Sequence, residues 1–264
     1  MPVSSSAGPE ISPPRGPPRS GSVSVCMATY DGEAHVREQL ASILAQLGPD
    51  DEVVVVDDGS RDGTVAIIEG MGDRRIRLER NPKNLGPVRT FERALSLSRN
   101  ETIFFSDHDD AWVSGKVERF KAALAASGAS CVVSDATFTT EDLTPVHGYF
   151  ESRGAGPGVV KNFVRNTYLG CCMALSHRAK EWVLPFPSLI LQHDEWTGMC
   201  CEIVTGVHFL PERLTLYRRH GKTVTNWKSK SLPVVARNRA RYLTAIAGRL
   251  PALIRHRHAV RGRG

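Results

Sequence analysis

Apolar residues fall into short unbroken runs, and between the runs they recur every three or four positions. Residues 23–28 (VSVCMA) and 52–56 (EVVVV) are almost wholly apolar and predict strands buried on both faces. Residues 33–47 place Ala34, Leu40, Ile43, Leu44 and Leu47 at helical spacing. The alternation continues with a short helix over 64–71, a strand over 76–79, a helix over 87–98 with Pro87 in its first turn, and a strand over 102–106. A helix over 116–126 and a strand over 131–134 follow. Strands and helices alternating at this spacing predict a mostly parallel, doubly wound (Rossmann-like) α/β sheet.

Beyond Val133 the pattern is less regular. Residues 138–166 read as a loop-rich stretch, 207–210 and 214–218 as two more strands, and 232–257 as a basic helix. The expected division is a disordered Pro/Ser/Gly-rich segment over 1–21, one α/β domain over 22–226, and a basic helical tail over 227–264. Apolar residues make up 41% of the chain, enough for one sizeable core. No run approaches the ~20 apolar residues of a membrane span. No apolar segment of the signal-peptide kind follows the first residues, so the expected location is the cytoplasm.

Charge sharpens this picture. The net charge is +6, yet 14 Lys and Arg and no acid lie between Arg213 and the end. An acidic body with a basic tail differs from the uniformly basic surface that nucleic acid favours, and no nucleic-acid partner is expected. Such a tail suits an anionic membrane surface, at the inner face of the plasma membrane, or is simply solvated. None of the six cysteines lies in a CxxC pair, so they read as reduced, buried hydrophobes rather than a zinc site.

In doubly wound sheets ligands sit beyond the carboxyl ends of the strands. Polar clusters fall at three such ends: Thr29-Tyr30, Asp57-Asp58, and Asp107 to Asp110. Thr29 and Tyr30 can bind and cover a nucleoside; alternatively Asp31 caps a helix. A carboxylate of the second cluster can accept from a pyrimidine imide, or the segment is a solvated turn. Asp107 and Asp109 are two apart, share a face in extended backbone, and suit a hard divalent cation on a diphosphate. No GxGxxG and no P-loop is present, which disfavours a dehydrogenase or a P-loop NTPase. Adjacent Asp57 and Asp58 lack the one-residue gap of a phosphohydrolase nucleophile pair. Further on, Asp194 could serve as general base with Trp196 stacking on a sugar, or HDEW simply starts a helix. Arg218 and Arg219 could bind phosphate and His220 a metal, or YRRHG is a basic turn.

In order along residues 23–226, ATYDGE (28–33), VVDDGSRDGT (55–64), NPKNLG (81–86), FFSDHDDAW (104–112), GCCMALSHR (170–178), HDEW (193–196) and YRRHG (217–221) resemble the inverting family-2 glycosyltransferases with the GT-A fold. The combination is closest to the rhamnosyltransferase-like subgroup that acts on surface polysaccharides. The resemblance implies that Ala28, Thr29, Tyr30, Glu33 and Asp57 lie at the nucleoside and Asn84 near the ribose or diphosphate. It implies Asp107 and Asp109 as the DxD motif, with Asp109 the direct ligand of Mg²⁺ or Mn²⁺ and His220 close by. Asp194 matches the base. His108 stands where the subgroup commonly has Gln, and His193 where many members have Glu. The implied partners are a nucleoside-diphosphate sugar of UDP or dTDP type and a glycan or lipid-linked acceptor. The implied reaction is a single displacement that inverts the anomeric centre.

Overall fold

The computed structural model describes residues 18–219 and 231–262. Four strands form the first half of the sheet: β1 (Arg19–Thr29), β2 (Glu52–Asp57), β3 (Ile76–Arg80) and β4 (Asn100–Ser106). They pair in parallel in the order β3-β2-β1-β4. The helices between them, α1 (Val36–Leu44), α2 (Thr64–Glu69) and α3 (Pro87–Leu97), return the chain to the same end each time, so all four carboxyl ends meet at one edge. The short β5 (Ala111–Trp112), α4 (Lys116–Ser127), β6 (Cys131–Thr139) and β7 (Pro145–Gly148) follow. Next come α5 (Tyr149–Arg153), α6 (Val159–Val164), β8 (Met173–Ser176), α7 (Lys180–Val183), α8 (His193–Val204), β9 (Val207–Arg218) and α9 (Leu232–Arg261). The sheet continues past β4 as β8-β6-β9-β5, with β7 paired to β6. β8 is antiparallel to both β4 and β6, while β6 and β9 are parallel.

Both faces of the sheet are buried, which is why its strands are continuous apolar runs. Alternate residues divide between two cores. Val25, Met27, Val53, Val55 and Phe104 pack with α1, α2 and α4; Cys26, Val54, Val56, Ile103 and Phe105 pack with α3, α7 and α8. All six cysteines are buried and free.

Several boundaries differ from expectation for physical reasons. β1 begins at Arg19, because Gly21 N donates to Glu101 Oε2 and Lys121 Nζ to Gly21 O, both at 2.6 Å. The two strands expected after residue 206 are one, β9, with a register shift beside Pro211 that absorbs the missing amide. The stretch 138–166 carries β7, α5 and α6. The basic helix runs on through Pro251 to Arg261. Tyr242, Ala245 and Leu253 pack into the same core as Trp196 and Phe91, and this contact offsets the hydrogen bond lost at Pro251. No helix among the described residues is long and apolar enough to cross a membrane.

Candidate active site

The strand-end loops open onto a cleft of about 810 Å³ whose other wall includes the start of α8. Ala28, Thr29, Tyr30, Asn84, Asp107, His108, Asp109 and Asp194 line it; Glu33, Asp57, Trp196 and Arg218 do not. His220 lies outside the described residues.

The loops after β1 and β2 are stitched together. Asp31 N donates to Ser60 Oγ at 3.0 Å, Gly32 N to Thr64 Oγ1 at 2.8 Å, and Glu33 N to Asp62 Oδ2 at 3.1 Å. In return Arg61 N donates to Asp31 Oδ1 at 2.8 Å and Gly63 N to Glu33 Oε2 at 2.6 Å. Asp31 and Glu33, expected at a helix cap and a nucleoside, therefore hold one loop to the other. This also delays α1 to Val36. Asp57 is fully buried, and its carboxylate accepts from Gly59 N, Ser60 N, Ser60 Oγ and Thr29 Oγ1. A carboxylate so engaged shapes its own turn rather than meeting a base. Its neighbour Asp58 points the other way, lines the cleft, and holds the Asn84 loop by accepting from Leu85 N and Gly86 N, both at 2.8 Å. Gly32 lets the His108 ring lie close against the loop: a Cβ would come within 2.2 Å of the ring, which would then have to shift.

Asp107 to Asp110 form a bend between β4 and β5, not an extended segment. Buried Gln39 anchors its start, donating to Ser106 Oγ at 2.7 Å and Asp107 O at 3.1 Å. Arg218 anchors its end. The Arg218 amide donates to Asp110 Oδ1 at 3.0 Å and Nε to Asp109 O at 2.8 Å, and the remaining guanidinium N–H groups reach Glu141 O and the Glu38 carboxylate. With its side chain 4% exposed, Arg218 is a clamp for the acidic bend and is not free for a phosphate. Trp196 is likewise withdrawn. Its ring is fully buried and its Nε1 donates to Val183 O at 2.8 Å, so it belongs to the core and offers no platform to a sugar.

The acidic bend is electrostatically crowded. Burial, then Asp109, then Asp194 push the Asp107 carboxyl up to about 8. Burial followed by Asp109 and Asp107 drives Asp110 well above the carboxylate range, and its buried Oδ2 has no hydrogen-bond partner of ordinary geometry among the described residues. Asp107, Asp110 and Cys171 bring one ligand atom each within 4.8 Å of one another. Burial raises the Cys171 thiol well above its usual range, which leaves it protonated and soft. The carboxylates are thus the donors fitted to a cation, and a hard ion such as Mg²⁺ or Mn²⁺ suits them. Behind them Lys116 is fully buried, donating to Cys171 O at 2.8 Å and Thr215 Oγ1 at 2.7 Å.

Across the cleft, Asp194 sits in the first turn of α8. Its Oδ1 accepts from Glu195 N at 2.6 Å. Burial pushes the carboxyl up to about 7, opposed by hydrogen bonds from the amides of Glu195 and Gly170 and from Asn166. Such a group changes protonation near neutrality and is suited to accept a proton. His193 stacks on Phe91, ring centroids 3.9 Å apart, and burial drives its pKa down to about 3, so it is neutral. Gln39 and Lys116 carry no signal in the sequence, whereas Asp58 and Asp110 stand in the polar clusters at strand ends without an individual role.

Residues 24–180 match the model of Glycosyl transferase family 2. A Bacillus subtilis (strain 168) protein named "Putative teichuronic acid biosynthesis glycosyltransferase TuaG" is 23% identical over 79% of this chain and 83% of its own length. The dTDP-rhamnosyl transferase RfbG of Shigella flexneri is 32% identical, over 41% of this chain and 40% of its own length. Among solved structures, S. aureus TarS 1-349 in complex with UDP-GlcNAc superposes with a TM-score of 0.66 at 19% identity, covering 85% of this chain and 67% of that one, and shares the GT-A fold. The family match ends before α8 and α9, yet it spans well over half of the chain, beginning in β1 and ending as α7 starts; the chain belongs to glycosyl transferase family 2 and is a glycosyltransferase.

Proposed function

We propose that this enzyme moves a sugar from a UDP- or dTDP-sugar, with rhamnose a candidate, to a hydroxyl of a cell-surface glycan or lipid-linked acceptor. Inversion at the anomeric carbon and dependence on Mg²⁺ or Mn²⁺ are part of the proposal. The observation that carries it is one cleft lined by Asp107 and Asp109 at a strand end and by Asp194 at a helix start. The names of relatives support the donor class: RfbG is a dTDP-rhamnosyl transferase and TarS was solved with UDP-GlcNAc.

Thr29, Tyr30 and Asn84 bind the nucleoside end, with Tyr30, 42% exposed, free to cover the base. Asp107 and Asp109, which line the cleft, would hold the cation, with Asp110 clustered beside Asp107. When bound, the cation supplies charge neutralisation for the departing diphosphate. The acceptor oxygen attacks C1 from the opposite face, and Asp194 takes its proton. The bonding electrons leave with the diphosphate, so no second carboxylate is needed to protonate a leaving group.

A thermal-shift comparison of UDP, dTDP and GDP, each with and without Mn²⁺, tests this reading. UDP or dTDP should raise Tm, and more strongly with Mn²⁺. Stabilisation by GDP alone, or none that depends on the metal, would count against it.

An anionic membrane surface is part of the same reading. On α9, Leu232, Leu243, Leu250 and Ile254 are 84, 52, 38 and 43% exposed, among exposed Arg237, Arg241, Arg255 and Arg261 and with no acid in the helix. Such a helix can lie in a lipid interface, each cation contributing about 1 kcal/mol. The protein should sediment with anionic liposomes at low salt, and the double variant Leu243→Glu, Ile254→Glu should not. Failure to sediment with anionic liposomes, or equal sedimentation with neutral ones, would refute it.

A further inference from the structure

Glu195 directly follows Asp194 and is itself only 6% exposed. A carboxylate so buried requires a counter-charge. One comes from the last described helix: Arg239 of α9 pairs with the Glu195 carboxylate. One turn on, Tyr242 donates its hydroxyl to the Glu195 carbonyl at 2.8 Å. The phenol ring stacks near Phe163 of α6, centroids 6.3 Å apart, and the Arg239 guanidinium lies 5.8 Å from that same ring. Both α9 side chains are thus held in place from a second side.

Among the described contacts, Glu195 is therefore gripped at three points. Its side chain and carbonyl are held by α9, and its amide donates to Asp194 Oδ1 at 2.6 Å. The peptide that orients the Asp194 carboxylate belongs to the residue that α9 fixes.

We propose that Arg239 and Tyr242 are positioning residues for Asp194, acting through Glu195 to hold its carboxylate toward the cleft. This rests on Asp194 being the base. Displacing a reacting group by an ångström can cost about 10²-fold in rate, so a small shift of the Glu195 peptide is costly. Charge acts in the same direction. Asp194 is surrounded by Glu195 on its own helix, Asp107 at the end of β4 and Tyr149 of α5. Removing Arg239 takes away one positive charge from beside Glu195, so the Glu195 charge bears more strongly on Asp194 and disfavours its proton-accepting form.

The test is steady-state kinetics of the full-length enzyme with its metal, across pH. Arg239→Ala should lower kcat about tenfold, leave the donor KM within about twofold, and move the acid limb of the pH profile upward. Arg239→Lys should recover most of the loss, and Tyr242→Phe should show a smaller loss of the same kind. Arg249 also docks α9, donating to the Leu184 and Pro185 carbonyls at 2.8 and 2.5 Å and lying 5.6 Å from the Trp196 ring centroid, contacts that do not run through the Glu195 carboxylate or carbonyl. Arg249→Ala should lower Tm while keeping kcat and the pH profile. In an Asp194→Asn background, Arg239→Ala should add nothing. If Asp194→Asn retains full activity, the base assignment itself fails. If Asp194→Asn is inactive while Arg239→Ala and Tyr242→Phe turn over normally with an unmoved acid limb, the positioning proposal is overturned. Equal kcat losses in Arg239→Ala and Arg249→Ala would also overturn it. Should Arg239→Ala fail to fold, Tyr242→Phe and Arg239→Lys give the same reading.

Discussion

The two walls of the cleft are held by different means. On the strand-end wall, loops about 30 residues apart exchange side-chain-to-backbone hydrogen bonds, as between Asp31 and Arg61 or Glu33 and Gly63. The anchors there are mostly short polar side chains reaching across from the neighbouring strand-end loop, with Gln39 and Arg218 closing the acidic bend. On the α8 wall, Asp194 is oriented by Glu195, which depends on residues 44 and 47 positions downstream. The strand-end wall is therefore built from loops that sheet formation itself sets side by side, whereas the α8 wall exists only once the helices have packed. A motif can mark where Asp194 is, but not what keeps it there.

This contrast can be broken by experiment. The largest effect is expected at the strand-end wall. Asp109→Ala should reduce turnover at least ~10³-fold, because several kcal/mol of charge stabilisation by the cation would go with it, while circular dichroism and Tm stay near wild type. Undiminished, metal-dependent activity in that variant would remove Asp109 from the metal site. Next, Asp194→Asn should lower kcat by about 10²–10⁴-fold with donor affinity unchanged; a matching loss of donor affinity would make Asp194 a binding residue. Third is pH. With the Asp194 carboxyl at about 7, its proton-accepting form is lost as pH falls, so kcat should be half-maximal near that pH and decline about tenfold per unit below it. The limb should vanish in Asp194→Asn. The smallest effect on activity is expected at Trp196. Trp196→Phe leaves the Val183 carbonyl without its donor and should cost about 1–3 kcal/mol of stability, seen as a lower Tm, with the donor KM unchanged. A raised KM instead would return the ring to the donor site.

The same contrast explains what was legible beforehand. The parallel strands and their carboxyl ends follow from β-branched runs such as EVVVV, whose period and length are local properties. Which of two neighbouring acids faces the cleft is not local. Asp57 and Asp58 have the same chemistry, and the choice is made by Ser60 and Thr29 on one side and the backbone at Leu85 and Gly86 on the other. Trp196 beside an acid reads equally well as a sugar platform or a core residue, and only the position of the Val183 carbonyl decides. Arg218 announces itself as a cation after a strand, yet carbonyls and a carboxylate brought from three other segments consume its donors. The inward face of α9 was hidden by its arginines, since two of them, Arg239 and Arg249, turn toward the body of the protein.

The grip on Glu195 also sets an order of assembly during synthesis. Arg239 lies 44 residues after Glu195, so at ~5–20 residues per second it leaves the ribosome roughly 2–9 s later. All the strand-end loops precede Glu195 in the chain. A nascent chain can thus complete its donor wall while Glu195, already made, still lacks Arg239 and Tyr242. The capacity to bind a sugar donor would be acquired before the capacity to consume it, and the last described helix to emerge would be the one that switches turnover on.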